Sequence, residues 1–172
     1  PGLQDTAEAK RILGRTASLE FRFTSQEADS GFSAPPGTER LERSQGGTVL
    51  LEKRKIVTGE RVTNAQSSFD EYSRPQVNIN LDSRGGRLMA DATRNSVGRQ
   101  MAVLFVENKQ RIRFETDANG KAVEIRDPYV ERRVINVATV QSMLGSQFRI
   151  TGLDSPAESQ ELALLLRAGA LA

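Results

Sequence analysis

No residue in this chain stands where a familiar reaction would need it. Histidine and cysteine are both absent from the 172 residues. That removes the usual general base near neutral pH, the Ser-His and Cys-His nucleophile pairs, thiolate metal sites and disulfides. Carboxylates remain, and each cluster of them has a plainer reading. Asp70 beside Glu71 is one acidic pair with no second pair at a telling position, so paired-carboxylate acid–base chemistry has nothing to work with. Asp117, Asn119 and Glu124 faintly suggest a calcium loop. A twelve-residue loop begun at Asp117, however, ends on Pro128 where a bidentate glutamate belongs. Asn119-Gly120 predicts instead the tip of a tight hairpin. Gly85-Gly86 lacks the lysine and the spacing of a phosphate-cradling loop and reads as a pair of turn glycines before a helix. Ser83 and Lys109 make no better nucleophilic dyad than any other pair. The chain is read as a non-enzyme that holds no metal and no cofactor.

Charge points the same way. Lys plus Arg number 24 and Asp plus Glu 22, for a formal charge of +2. The runs alternate in sign, as in Glu39, Arg40, Glu42 and Arg43, which predicts a solvated face rather than a phosphate-binding stripe. With no Trp and two Tyr there are few platforms on which bases could stack, so nucleic acid is not an expected partner. The longest apolar run, Met101 to Val106, is far short of the roughly 18 residues of a membrane span. The chain opens on Pro1 without an initiator Met or a leader pattern and is expected to be a piece of something longer.

The elements that would position any site follow from periodicity. Asp5, Glu8, Ala9, Ile12, Leu13 and Gly14 mark a short capped helix, and Leu19, Phe21 and Phe23 alternate with Ser18, Glu20 and Arg22 as a strand with one buried face. Residues 24–47 lose periodicity and are expected to be irregular. Short strands are predicted at Thr48–Leu51 and Lys55–Thr58, and Val62–Phe69 reads either way. Val77, Ile79 and Leu81 give a clear strand. Asp82 or Ser83 then opens a helix running to Gly98, with Leu88, Met89 and Ala92 as its buried stripe. Met101–Val106 reads as a central strand, Arg111–Glu115 and Lys121–Arg126 as hairpin arms, Arg133–Ala138 as a strand, Thr139–Leu144 as a helical turn and Gln147–Thr151 as a strand. The last helix is the best marked: Ser155 caps it, Pro156 sits at its first position, Glu158 completes a capping box and Gly169 ends it.

Several blocks carry a family resemblance. Pro1-Gly2, Asp5, Ala9, Ile12-Leu13-Gly14, Thr16-Ala17 and Leu19-Glu20-Phe21-Arg22 form the first. Ala65-Gln66-Ser67-Ser68-Phe69-Asp70-Glu71, Arg74-Pro75-Gln76-Val77, Leu81-Asp82, Gly85-Gly86, Thr93, Val97-Gly98 and Met101-Ala102 form the second. Val134-Ile135-Asn136, Ile150-Thr151-Gly152 and Leu164-Leu165-Leu166-Arg167-Ala168-Gly169-Ala170-Leu171 form the third. In this order they resemble the first large extracytoplasmic domain of the SecD family, membrane subunits of the bacterial protein-export machinery. Residues 24–50 and 107–133 match no quoted pattern.

The resemblance implies an α+β fold: part of a ferredoxin-like base, plus a head with a mixed or antiparallel sheet and two packed helices. Residues 1–23 would close the base, 24–74 would form a connector with short strands and 75–172 the head. It further implies a place on the periplasmic face of the bacterial inner membrane. The partners would be unfolded preprotein and, through the full-length protein, SecF, YajC and SecYEG, with export driven by the proton-motive force. Membrane contact would come only from helices outside this chain. The rival reading is a passive scaffold that docks SecF or YajC and never touches a client. A reversible grip on varied polypeptides needs an adaptable apolar surface, and the candidate contact residues are Met89, Phe105, Phe114, Met143 and Phe148, each weighed against an ordinary core role.

Overall fold

The computed structural model describes residues 17–169, so the helix read over Asp5–Gly14 lies outside the described residues. Strand β1 (Ala17–Phe23) is followed by β2 (Thr38–Arg43), β3 (Thr48–Glu52), β4 (Val57–Thr58), a single 3-10 turn (Gly59–Arg61), β5 (Val62–Phe69) and β6 (Pro75–Leu81). Helix α1 (Ser83–Thr93), β7 (Gln100–Thr116), β8 (Ala122–Thr139), β9 (Gln147–Ile150) and α2 (Pro156–Gly169) complete the order. The strands form a six-stranded sheet, β3-β2-β8-β7-β1-β4, and a three-stranded sheet, β5-β6-β9. Every pairing is antiparallel except β2 with β8, so the larger sheet is mixed. With the two helices among the described residues the fold is α+β, as expected. Residues 24–74, expected as a connector, contribute β2 to β5 and so belong to both sheets.

The larger sheet curls. A bridge between Thr24 and Leu51, with the Ser25 N–H donating to the Leu50 carbonyl at 2.8 Å, brings the end of β1 back onto β3. Strands β1, β7, β8, β2 and β3 thus come close to a closed ring. Alternation then gives β7 two buried faces. Met101, Val103 and Phe105 point into the main core with Leu19 and Phe21 of β1, Ile79 of β6, Phe148 of β9 and Leu166 of α2. Ala102 and Leu104 point into a small second core with Leu41, Leu51 and Val134. The reading of Met101–Val106 as a strand covered on both sides is borne out.

Five local expectations are corrected. Strand β2 lies inside the stretch expected to be irregular; its only apolar side chain is Leu41, too little for a period-2 signal. The segment Thr139–Leu144 holds no helical turn but leaves β8 as an irregular loop with a bend at Ser142. Helix α1 stops at Thr93, five residues before Gly98, which takes positive φ (93°) in the turn beyond it. Its buried face is Gly85, Gly86, Met89 and Thr93, with Leu88 exposed. Gly85 and Gly86 are therefore helical glycines of close approach, not turn glycines. A Cβ on Gly85 would lie 2.9 Å from Arg61 Cβ, and one on Gly86 would lie 2.2 Å from Ser146 Oγ and 3.1 Å from Ser146 Cα.

Both helix starts read as predicted. Asp82 caps α1 by accepting from the Gly85 N–H at 2.7 Å, and that bond is the chief cause holding its carboxyl below the usual carboxylate range. For α2, Ser155 Oγ accepts from the Glu158 N–H at 3.1 Å, while Glu158 reaches back to the Asp154 N–H at 2.7 Å. The far end of α1 is tied to the loop before β9 through a fully buried Thr93. Its Oγ1 donates to the Met89 carbonyl at 2.7 Å and accepts from the Leu144 N–H at 2.9 Å. Replacing Thr93 by the near-isosteric valine leaves that N–H without its partner, at a cost of about 1–3 kcal/mol. Denaturant unfolding of Thr93→Val should show this loss, and amide exchange at Leu144 should accelerate with it.

Candidate functional site

The hairpin predicted around Asn119-Gly120 is real but far longer than its expected arms. β7 and β8 stay paired one-for-one from Leu104 with Val134 out to Thr116 with Ala122. The turn is closed by Asp117, whose Oδ1 accepts from the Asn119 and Lys121 N–H groups at 2.8 and 2.9 Å, with Gly120 at φ 79°. Among the described residues no strand pairs with β7 beyond Glu107 or with β8 before Arg133. Among the described residues the outer part is therefore a two-stranded ribbon with no strand on either edge and mostly exposed side chains.

The register sorts those faces. One carries Lys109, Arg111, Arg113, Glu115, Glu131, Tyr129 and Asp127, with Ile125 and Val123 toward the tip. There Lys109 bonds Glu131 and lies 3.4 Å from Glu107, Arg113 pairs with Asp127 at 2.7 Å and with Glu115, and the Arg111 guanidinium sits 4.6 Å over the Tyr129 ring. The hydrogen bond between Lys109 and Glu131 raises the lysine's pKa and lowers the carboxylate's. The other face continues the register of the small core. Beyond Leu104 and Val106 it presents Val130, Pro128, Ile112 and Phe114, with Ile112 56%, Val130 57% and Phe114 70% exposed. The polar side chains sharing this face are Arg132, Asn108, Gln110, Arg126 and Glu124, the last two 3.7 Å apart. An apolar row that leaves a core and runs into solvent is a candidate contact surface.

A second feature lies where the two sheets meet. The irregular loop after β8 and strand β9 enclose a groove of about 250 Å³, lined by Met101, Val140, Met143, Leu144, Phe148 and Ile150 among others. Met143 stands at its rim, 54% exposed, whereas Phe148 is 9% exposed and packs edge-to-face on Phe21 with ring centroids 6.0 Å apart.

The five candidate residues therefore separate. Met143 and Phe148 come together on the groove, and Phe114 stands alone on the ribbon. Met89 and Phe105 are 0% and 2% exposed and belong to the core, so they are withdrawn as contact residues; Phe148 takes part only as groove lining. Sequence reading missed Ile112, Val130 and Met101. For Ile112 the signal was present in its alternation with Arg111 and Arg113, but the hairpin had to be extended to residue 130 before that alternation marked one face. Two of the carboxylates close turns, Asp117 at the hairpin tip and Asp70 after β5. Asp70 closes the turn after β5, accepting from the Arg74 and Tyr72 N–H groups at 2.9 and 2.8 Å and from Arg74 Nε at 3.0 Å. The Arg74 backbone bond is the main cause holding its pKa down. Among the described residues no group of three carboxylates could hold a metal ion, and no helix is long and apolar enough to cross a membrane.

A curled mixed sheet, a second small sheet, two capped helices and a projecting ribbon define a head-type α+β module. Comparison with known proteins narrows the class: the family model for the SecDF P1 head subdomain matches residues 38–172, and the chain belongs to that family. It is 55% identical to the protein translocase subunit SecD of Pseudomonas aeruginosa over the whole chain, and 49% identical to that of Escherichia coli K12 over 99% of it. The chain spans 28% of the length of either relative. A solved structure of the membrane component SecDF, which enhances protein export, aligns with 98% of this chain and 70% of its own at a TM-score of 0.54 and 21% identity, a likeness of fold.

Proposed function

We propose that this module is the periplasmic part of a SecD-type translocase subunit that grips unfolded preprotein as it emerges from the membrane, without making or breaking bonds. The grip helps the proton-motive force complete export beside SecF, YajC and SecYEG. One observation carries the reading: the unpartnered apolar row of Val130, Ile112 and Phe114 on a ribbon open to solvent. A client that arrives unfolded offers varied apolar side chains, and a row open on all sides can take them in many registers and let them go. A base ending at β1, as the family resemblance implies, would join the head through the pairing of that strand with β7.

The test uses the full-length parent protein with a photo-crosslinking residue at position 112, 114 or 130 and a stalled export substrate. Adducts with the substrate are expected at all three positions and not at position 127 on the charged face. Adducts with SecF or YajC and none with substrate would support the scaffold reading instead. Phe114→Ser, which touches no core contact, should weaken binding of an unfolded polypeptide to the purified chain about tenfold, as loss of an aromatic anchor does, with its melting temperature unchanged.

A further inference from the structure

We propose that the outer edge of β9 accepts an extended polypeptide segment as a fourth strand of the β5-β6-β9 sheet, with one apolar side chain of that segment seated in the adjoining groove. The proposal rests on the client-binding reading and adds to it a second site with a different chemistry.

The backbone geometry carries it. Among the described residues β9 is an edge strand, and it pairs with β6 one-for-one from Asn80 with Gln147 to Val77 with Ile150, without a bulge. One step earlier in that register the Leu81 N–H donates to the Ser146 carbonyl at 2.7 Å. In an antiparallel pair the bonded and non-bonded positions alternate, so Phe148 and Ile150 spend their N–H and C=O groups on β6. Those of Gln147 and Arg149 face outward. An edge of this kind is a template for another strand unless proline, a bulge or an inward charge blunts it, and β9 has no proline and no bulge.

The groove explains what kind of strand fits. Its volume, about 250 Å³, falls below the roughly 300–1,000 Å³ of pockets that enclose a whole small ligand, so it suits a side chain rather than a molecule. The floor is Met101, Phe148 and Ile150, all buried, and the rim is the flexible thioether of Met143. Arg149 is the one ionisable residue among those lining it, so the site selects little by charge. Repeating backbone donors and acceptors beside an adaptable apolar slot recognise an extended polypeptide, whatever its sequence, through main-chain pairing with pockets for alternate side chains. Only two outward residues are on offer, so the bound strand is held weakly and leaves readily.

A fluorescein-labelled decapeptide of alternating Val and Thr with a central Leu is the probe, titrated into the 172-residue chain by fluorescence anisotropy. The same peptide N-methylated at alternate residues on its pairing edge should bind at least tenfold more weakly. Arg149→Pro, which removes an outward N–H that bonds no partner among the described residues, should cause a similar loss with an unchanged melting temperature. Should that variant not fold, Gln147→Pro and the N-methylated peptide against the unaltered chain decide. Equal affinity of the N-methylated and plain peptides overturns the proposal, as does unchanged binding to a folded proline variant. Loss of binding in Phe114→Ser with full binding in Arg149→Pro would overturn strand addition while leaving the client-binding reading standing. A peptide that binds nowhere, together with no substrate crosslink on the ribbon, removes both.

Discussion

Replacing Arg22 with alanine is expected to cost about 3–5 kcal/mol of stability, the usual penalty for breaking a buried ion pair by removing one partner. Arg22 lies on β1 with its side chain 5% exposed. It bonds Glu20 Oε1 through Nε at 2.9 Å and Nη2 at 2.6 Å, and Glu39 Oε1 at 2.5 Å. Glu20 is itself 9% exposed and reaches Lys55 at 3.2 Å, and Glu39 is shared with Arg132 at 2.9 Å. Removing the guanidinium strands the Glu20 carboxylate in a site that water hardly enters, with only the half-exposed Lys55 for company. The arithmetic differs when both charges go. Glu20→Leu with Arg22→Met should recover most of the loss, because a well-packed apolar pair need not be worse than a buried salt bridge. Equilibrium denaturation of the two variants checks this, together with a fall in melting temperature of roughly 10 °C for Arg22→Ala. A loss below 1 kcal/mol in the single variant would show that water already screens the cluster.

That network also marks the limit of what the residue pattern could say. The alternation of β1 located the strand and its apolar face. It assigned Glu20 and Arg22 to solvent, because period 2 reports which residues share a face and not what covers it. The cover comes from β2 and β3, and β2 was invisible: Thr38–Arg43 has one apolar residue, and its alternating charges looked like a solvated surface. Glu39 is turned inward because the curled sheet brings it within reach of Arg22 and Arg132, a distance no local window contains. Helix starts were legible for the opposite reason. Asp82, Ser155 and Glu158 satisfy backbone N–H groups within four residues of themselves, so the signal is wholly local. The candidate site fell between these cases. Asn119-Gly120 announced a hairpin, yet the length of its arms depends on seventeen cross-strand pairs. Met143 and Phe148 line one groove because the loop carrying Met143 is held beside β9, where Thr93 anchors Leu144.

On the opposite face of β1, Phe21→Ala should cost about 3–5 kcal/mol, the range for emptying a buried phenylalanine site. Phe21 is fully buried and central to the main core, and its ring meets Phe148 edge-to-face at an interplanar angle of 78°. That contact joins the larger sheet to β9 of the smaller one, so the cavity left behind opens beneath the strand whose outer edge is proposed to pair with a client. A double-mutant cycle with Phe148→Leu separates the two effects. If the ring contact matters beyond the area it buries, the cycle returns a coupling of about 0.5–1.5 kcal/mol; if Phe21 only fills volume, the two losses add. Phe21→Leu keeps most of the volume and should lose well under half as much stability. Amide exchange distinguishes local from global loosening. Faster exchange at Phe148 and Ile150, whose N–H groups face β6, would place the damage at the edge strand. A uniform increase across both sheets would show that Phe21 supports the whole core equally.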